Sequence, residues 1–296
     1  MASELVHDRT ATIPRLLDLD ATAYHADGID SDRPSLSASV ASTLIRQSPF
    51  HAWLKHPRLG NTPREASSEM ERGTIIHGLV FGTLGGDDYE TIDADNFRTK
   101  AAQEQRDAAR DRGAVPVLAR EMETYRRVAE AIGHKLREAG IDLNGVSEKV
   151  AAWEEASQFG PVLCRGMIDH LIIGNDGATI YDLKNCRNAH PESCVRHVLE
   201  YGYEIQRAAY VSAVEKLRPD LAGRVRFVWL FVEELPGYRV VLTVAEASGT
   251  LRELGESRWA RAVETWAKCL RMNEWPAYGS ARLEAPDWAL KQEEGQ

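Results

Sequence analysis

Cysteine is scarce: Cys164, Cys186, Cys194 and Cys269 are the four in 296 residues. So few, unevenly spaced, do not build the framework of a small disulfide-stapled secreted domain, and free thiols are expected. No apolar run reaches the roughly 18 residues that a membrane span needs, so no membrane partner is expected. The opening Met1-Ala2-Ser3-Glu4-Leu5-Val6-His7-Asp8 lacks a basic start followed by an apolar stretch. No secretory signal is therefore expected, and the expected location is cytoplasmic. Positive charge is also in deficit: 36 Lys and Arg face 45 Asp and Glu, a net of −9. That balance excludes a general nucleic-acid coat protein, but not one that meets phosphates through a local patch. There is no internal repeat and no low-complexity segment.

What is present is an ordinary globular composition, 43% hydrophobic and 27% charged, on a chain long enough to bury a full core. Charge is uneven along it. Residues 98–137 carry ten Lys/Arg against six Asp/Glu, whereas residues 1–34 carry seven acids against three bases. The basic stretch reads equally as a solvated helix face of mixed ion pairs or as a surface for a polyanion. Residues 1–34 read as a polar lead-in with turn signals, 35–140 as an N-terminal helical region, 141–283 as the core and 284–296 as a polar tail. Within the helical region, Ser37 or Ser39 caps a helix through Val40–Ile45. A loop is expected near 60–70, a helix over 72–81 that carries His77, and helices over 100–112 and 117–139.

After Gly140 the texture changes. Strands are expected over 149–153, 162–173 and 178–183, the last two joined by the turn Asn175-Asp176-Gly177. A helix over 201–217 follows, then a strand at 225–232 whose unbroken apolar run reads as buried on both faces. A strand over 238–244 and a helix over 246–272, with Trp259, Val263 and Trp266 at helical spacing, complete the order. The fold class is α/β: a mixed sheet flanked by helices, preceded by a helical region.

The chemistry concentrates on Gly166-Met167-Ile168-Asp169 and Asp182-Leu183-Lys184. A strand alternates its side chains, so Asp182 and Lys184 share a face and Leu183 takes the other. Two carboxylates able to share a divalent metal, with an ammonium beside them, suit cleavage of a phosphodiester. Asp169 and Asp182 are the candidate ligands, with the Leu183 carbonyl as a third, and Lys184 is placed to orient the attacking water or stabilise negative charge. Glu148 can add an acidic oxygen, with Glu154 and Glu155 as rivals. His77 can bring an imidazole to the metal. Gln206 and Tyr210, spaced i,i+4, share a helix face and can hydrogen-bond to a phosphate or a base.

This ordered set resembles the PD-(D/E)xK nuclease superfamily, whose restriction-endonuclease-like core it would share. More narrowly it resembles the RecE-type (exonuclease VIII) branch of phages and prophages. Leu36-Ser37-Ala38-Ser39, Pro49-x-x-x-Trp53 and Arg72-Gly73-Thr74-x-x-His77 also fit that branch, and the likeness covers roughly residues 22–245. Ile168 stands where a proline is frequent. The resemblance implies a magnesium-dependent exodeoxyribonuclease, with manganese able to substitute, that digests linear double-stranded DNA from its ends, 5′ to 3′. It implies catalytic Lys184, Asp169, Asp182 and Glu148, and metal ligands Asp169, Asp182, the Leu183 carbonyl, His77 and Glu148. DNA contacts are expected from Gln206, Tyr210 and Arg165. A ring-like homo-oligomer and a single-strand annealing protein as partner are implied as well, within phage recombination in a bacterial or phage-infected cell.

Cys186, His190, Cys194 and His197 form a rival cluster of zinc-ligand types, but their spacing is not that of a usual finger. Neither zinc nor an iron–sulfur cluster is expected, since the cysteine run such a cluster needs is absent. An endonuclease or repair-complex nuclease remains an alternative with the same chemistry. A non-catalytic DNA-binding scaffold is the alternative from another class.

Overall fold

The computed structural model describes residues 13–60, 62 and 67–286. The start of the lead-in, most of the 61–66 stretch and the tail from residue 287 lie outside the described residues. In chain order the elements are β1 (Arg15–Leu17), α1 (Ala21–His25), β2 (Leu36–Ser37), α2 (Ala38–Arg46), α3 (Pro49–Lys55), α4 (Ser68–Phe81), β3 (Tyr89–Ile92), α5 (Lys100–Asp111), β4 (Val115–Leu118) and α6 (Ala119–Glu138). The core continues with β5 (Val146–Glu155), β6 (Val162–Ile173), β7 (Ala178–Cys186), α7 (Pro191–Tyr201), α8 (Tyr203–Leu217), β8 (Val225–Leu235), β9 (Arg239–Glu246) and α9 (Gly249–Met272).

The main sheet runs β1-β5-β6-β7-β8-β9, with β2 paired to β6. Its ladders are antiparallel except at β7–β8 and β2–β6, so the sheet is mixed as the sequence order implied. The strand β8 shows why it needs an unbroken apolar run. Phe227, Trp229 and Phe231 pack under α2, α8 and α9, while Val228, Leu230 and Val232 pack under α4 and α6. Helices thus cover both faces. On α9, Trp259, Val263 and Trp266 turn into the first of these cores, as their spacing predicted. On α4, Ile76 enters the second beside Val128, Ile132 and Leu136 of α6, which fixes the helix that carries His77.

Three segments differ from expectation. The described part of the lead-in is built into the fold: β1 pairs with β5, Arg15 opposite Ala152, and Asp27 is buried. The reason is that β5 would otherwise expose an edge of unpaired backbone groups. The region 35–140 is not helical throughout, since β2 joins the main sheet and β3 and β4 form a separate parallel pair. Finally, α7 has no counterpart in the expected order of elements, and Pro191 opens it at its first turn. That helix ends at Gly202, whose φ of 74° is left-handed, and α8 starts afresh at Tyr203.

Much of the basic stretch is spent internally. Arg110 is bidentate to Glu71, Arg112 meets Glu90, Arg127 meets Glu123 at i,i+4, and Lys135 meets Glu138. Exposed pairs of this kind contribute about 0–1 kcal/mol each. Among the described residues, no helix is long and apolar enough to cross a membrane.

Candidate active site

The site forms where two strands part. The β6–β7 ladder runs from Ile173 opposite Ala178 to His170 opposite Tyr181 and stops there. Asp169 and Asp182 are the next residues on the two strands, the first beyond the split. The released Leu183 N–H donates to Asp169 Oδ2 at 2.9 Å, so a carboxylate takes the place of a ladder partner. On its other edge β7 stays paired with β8 through Cys186, which keeps Asp182 and Lys184 on rigid backbone.

Alternation holds at this point. Asp182 and Lys184 share the face under α8, and Leu183 packs in the opposite core. Asp182 is fully buried. Its Oδ1 accepts from Gln206 Nε2 at 2.8 Å, and its Oδ2 meets Lys184 Nζ as an ion pair at 2.7 Å. Among the described residues, no donor besides that ammonium reaches Oδ2. Lys184 Nζ also lies 4.6 Å from the centroid of the Tyr203 ring, a cation–π contact. From α4, His77 Nδ1 stands 3.5 Å from Asp169 Oδ2, with the Leu183 backbone carbonyl facing the ring.

The electrostatics follow from burial. Burial pushes Asp182 up to about 6 despite the lowering pull of Lys184, and burial raises Asp169 as well. Burial alone would lower Lys184, but the two carboxylates hold it above its ordinary value, so it stays charged. Burial, with Lys184 nearby, lowers His77 to about 4, which leaves a neutral imidazole at neutral pH.

Glu148 lies inside β5, not ahead of the first strand. It sits between the paired positions Ser147–His170 and Lys149–Ile168, which places it opposite Asp169, and its φ of 50° interrupts the ladder there. Burial raises its carboxyl, with the Thr83 hydroxyl opposing and Asp88 adding to the rise, and its charge is felt at Asp169. The rivals go elsewhere. Glu154 pairs with Arg33, and Glu155 accepts from Ser212, Trp153 and Trp259 and pairs with Lys216.

These residues suit a hard divalent cation. The buried Asp182 and part-buried Asp169 carboxylates face the Lys184 ammonium, and among the described residues no second donor reaches Asp182 Oδ2. Asp169, Asp182 and the Leu183 carbonyl would hold the ion, with His77 beside Asp169 and Glu148 across the strand pair. Among the described residues, no three His, Cys, Asp or Glu side chains converge as a ready cage. The ion would therefore retain much of its water, as magnesium commonly does. In the cysteine–histidine cluster, Cys186 Sγ donates to the Val232 carbonyl, Cys194 Sγ donates to the Ala189 carbonyl, and His190 caps α7.

Of the three expected DNA contacts, Gln206 is at the site, bound to Asp182. Tyr210 and Arg165 are corrected by their burial. Tyr210 is 4% exposed, and its phenol lies with Gln206 and Tyr24 under the sheet. Arg165 is 3% exposed, and its guanidinium donates to Asp27, Ser35 and the Tyr24 carbonyl. Neither is free to reach a DNA backbone, because both polar groups are consumed by partners from residues 24–35 and α8.

Residues 35–284 match the PD-(D/E)XK nuclease superfamily. The chain belongs to that superfamily. Nucleases of the PD-(D/E)XK superfamily generally use divalent metals such as magnesium. Among solved structures, a protein from Eubacterium rectale named as an exonuclease superposes with a TM-score of 0.58 at 12% identity. That match spans 95% of this chain and 100% of the other, and it shows a shared fold. A phage-related exonuclease from Haemophilus somnus aligns at 10% identity with a TM-score of 0.33, over 81% of this chain and 96% of the other. No curated protein matches the chain in sequence.

Tyr203 escaped the sequence reading, although the signal was there. Tyr203, Gln206 and Tyr210 stand at i, i+3 and i+7, one stripe of α8 that faces the strand pair. Gly166 is the reason that stripe can sit so close. A Cβ at Gly166 would fall 2.4 Å from Tyr210 Cε1. Gly166→Ala is thus expected to lower stability by about 1–3 kcal/mol through overpacking, and to reduce cleavage because α8 carries Gln206 away from Asp182. Urea midpoints and cleavage rates measured on one preparation test both effects.

Proposed function

We propose that the chain is a divalent-metal-dependent exodeoxyribonuclease that degrades linear double-stranded DNA from its ends, 5′ to 3′, exposing a 3′ single strand. The observation that carries this reading is the grouping of Asp169, Asp182 and Lys184 at the β6–β7 split, with Gln206 fixed on Asp182. A bound magnesium, or manganese in its place, would neutralise phosphate charge and ease attack by water. The chain's own groups do the rest. Lys184, held charged by two carboxylates, orients the attacking water and stabilises the negative charge that develops on the phosphate. Gln206 locks the Asp182 rotamer. His77, neutral at working pH, adds no competing positive charge beside Asp169. In this reading the enzyme acts in the cytoplasm of a bacterial or phage-infected cell, as a ring-like homo-oligomer that hands its single strand to an annealing protein.

Digestion of linear duplex with magnesium, with covalently closed circles left intact, is the expected result. Nicking of closed circles would point to an endonuclease. No cleavage with magnesium or manganese would overturn the catalytic reading. Duplexes labelled on one strand end test the 5′-to-3′ direction.

The raised Asp182 carboxyl sets a pH dependence. Its ionised form holds the cation, so protons and metal compete as pH falls through about 6. The magnesium concentration for half-maximal cleavage is expected to be several-fold higher at pH 5.5 than at pH 7.5, with excess magnesium recovering much of the rate. A half-saturation value that does not change with pH would remove Asp182 from the metal site.

A further inference from the structure

A row of rings leads from the catalytic ammonium to solvent. Lys184 Nζ lies over Tyr203, and Tyr203 stacks on Tyr201 with centroids 5.7 Å apart and planes within 23°. Tyr201 is 51% exposed. Its other supports are fixed. His197, one helical turn earlier on α7, meets it edge-on at 4.8 Å, and His197 lies 6.5 Å from Phe231, the β8 residue paired with Lys184. Its carbonyl accepts from Ser42 Oγ at 3.3 Å. The left-handed Gly202 turns the chain so that residues 201 and 203 stack, and a Cβ there would fall 2.2 Å from Ser42 Oγ.

A large aromatic ring held rigidly in water beside a catalytic lysine is a recognition feature. The surfaces that an exposed ring face accepts without reading sequence are the π-faces of nucleobases. One strand advances about 3.4 Å per nucleotide along a duplex axis, so Tyr201 lies within about three nucleotides of a phosphate at Lys184.

We infer that Tyr201 is a base-stacking subsite for an unpaired nucleotide of the cleaved strand, close to the scissile phosphate. This rests on the nuclease reading and deepens it. A base can reach the ring only when its own stacking face is free, as at a frayed or opened duplex end. The subsite therefore favours ends over internal duplex.

The test measures KM and kcat with magnesium on linear duplexes for the wild type, Tyr201→Ala and Tyr201→Trp. Substrates are intact or carry one abasic nucleotide at each of the three terminal positions of the cleaved strand. Tyr201→Ala is expected to raise KM about tenfold or more with kcat little changed, in line with the loss of one base–aromatic stack. Tyr201→Trp is expected to restore KM, which a merely structural role would not allow. One abasic position is expected to raise KM in the wild type and to add nothing in Tyr201→Ala. An unchanged KM in Tyr201→Ala, or an abasic effect that persists in it, overturns the subsite while leaving the nuclease reading in place. A wild type that cuts no DNA with magnesium or manganese overturns both.

Discussion

Lys184→Ala is expected to lower DNA cleavage by at least about 10²–10³-fold while leaving DNA binding largely intact, the magnitude seen when one preorganised charge-stabilising donor is lost. Among the described residues, Lys184 is the ammonium that faces Asp169 and Asp182, and it also lies over the Tyr203 ring. Truncation removes the group that stabilises developing charge on the phosphate. It also leaves the buried Asp182 and part-buried Asp169 carboxylates without their counter-charge. Both carboxyls are already raised by burial, and the loss of Lys184 raises them further. A carboxyl whose folded value lies above its unfolded one contributes stability that is lost as pH rises through the folded value. The metal-free variant is therefore expected to go on losing stability as pH rises above about 6, the wild-type Asp182 value, and added magnesium should offset much of that loss. Cleavage assays beside urea melts at two pH values measure both parts. Near-wild-type turnover in the variant would sink the active-site assignment.

Arg165→Ala is expected to cost about 3–5 kcal/mol of folding stability, the range for removing one partner of a buried ion pair. Asp27 and Arg165 are 2% and 3% exposed. Arg165 Nη1 donates to Asp27 Oδ1 at 2.8 Å, and the same carboxylate accepts from the Ser35 backbone N–H and hydroxyl. Burial alone would raise Asp27, but His56, Arg165 and Ser35 together hold it below its ordinary value. Its stabilising share is present above the unfolded carboxyl range and is lost as pH falls through the depressed folded value. Removing Arg165 takes away the buried guanidinium, leaving Ser35, His56 and, at 3.7 Å, Arg58 as the carboxylate's remaining partners. A DNA contact would behave differently, weakening binding evenly across sequences and flattening the salt dependence by about one phosphate, with stability unchanged. Denaturant melts beside DNA titrations at two salt concentrations separate the outcomes. If stability is unchanged, the buried-network assignment fails.

Local rules made a good part of this molecule readable. Strand period two put Asp182 and Lys184 together, because side-chain direction in a strand depends only on position parity. The apolar run of β8 announced burial on both faces, and the spacing of Trp259, Val263 and Trp266 announced the buried side of α9. The strands of two to four residues, β1 to β4, left no period to read. They exist because longer strands need edge partners and loops need anchoring. The break between α7 and α8 was hidden as well: Gly202 lies in a stretch rich in helix formers, and its left-handed φ and its close approach to Ser42 both favour glycine there.

The sequence by itself determined which residue types carry the chemistry, their order along the strands and helices, and the pairing of a carboxylate with a lysine on one strand face. The tertiary structure alone decided three things. It parted β6 from β7 so that Asp169 caps the freed Leu183 N–H, and it brought Gln206 and Tyr203 of α8 onto Asp182 and Lys184. It also buried Arg165 and Tyr210 against residues more than a hundred positions earlier in the chain. The physical reason is the same in each case. A charged or polar group taken out of water must find a partner, and partners distant in the chain are supplied only by the packed fold.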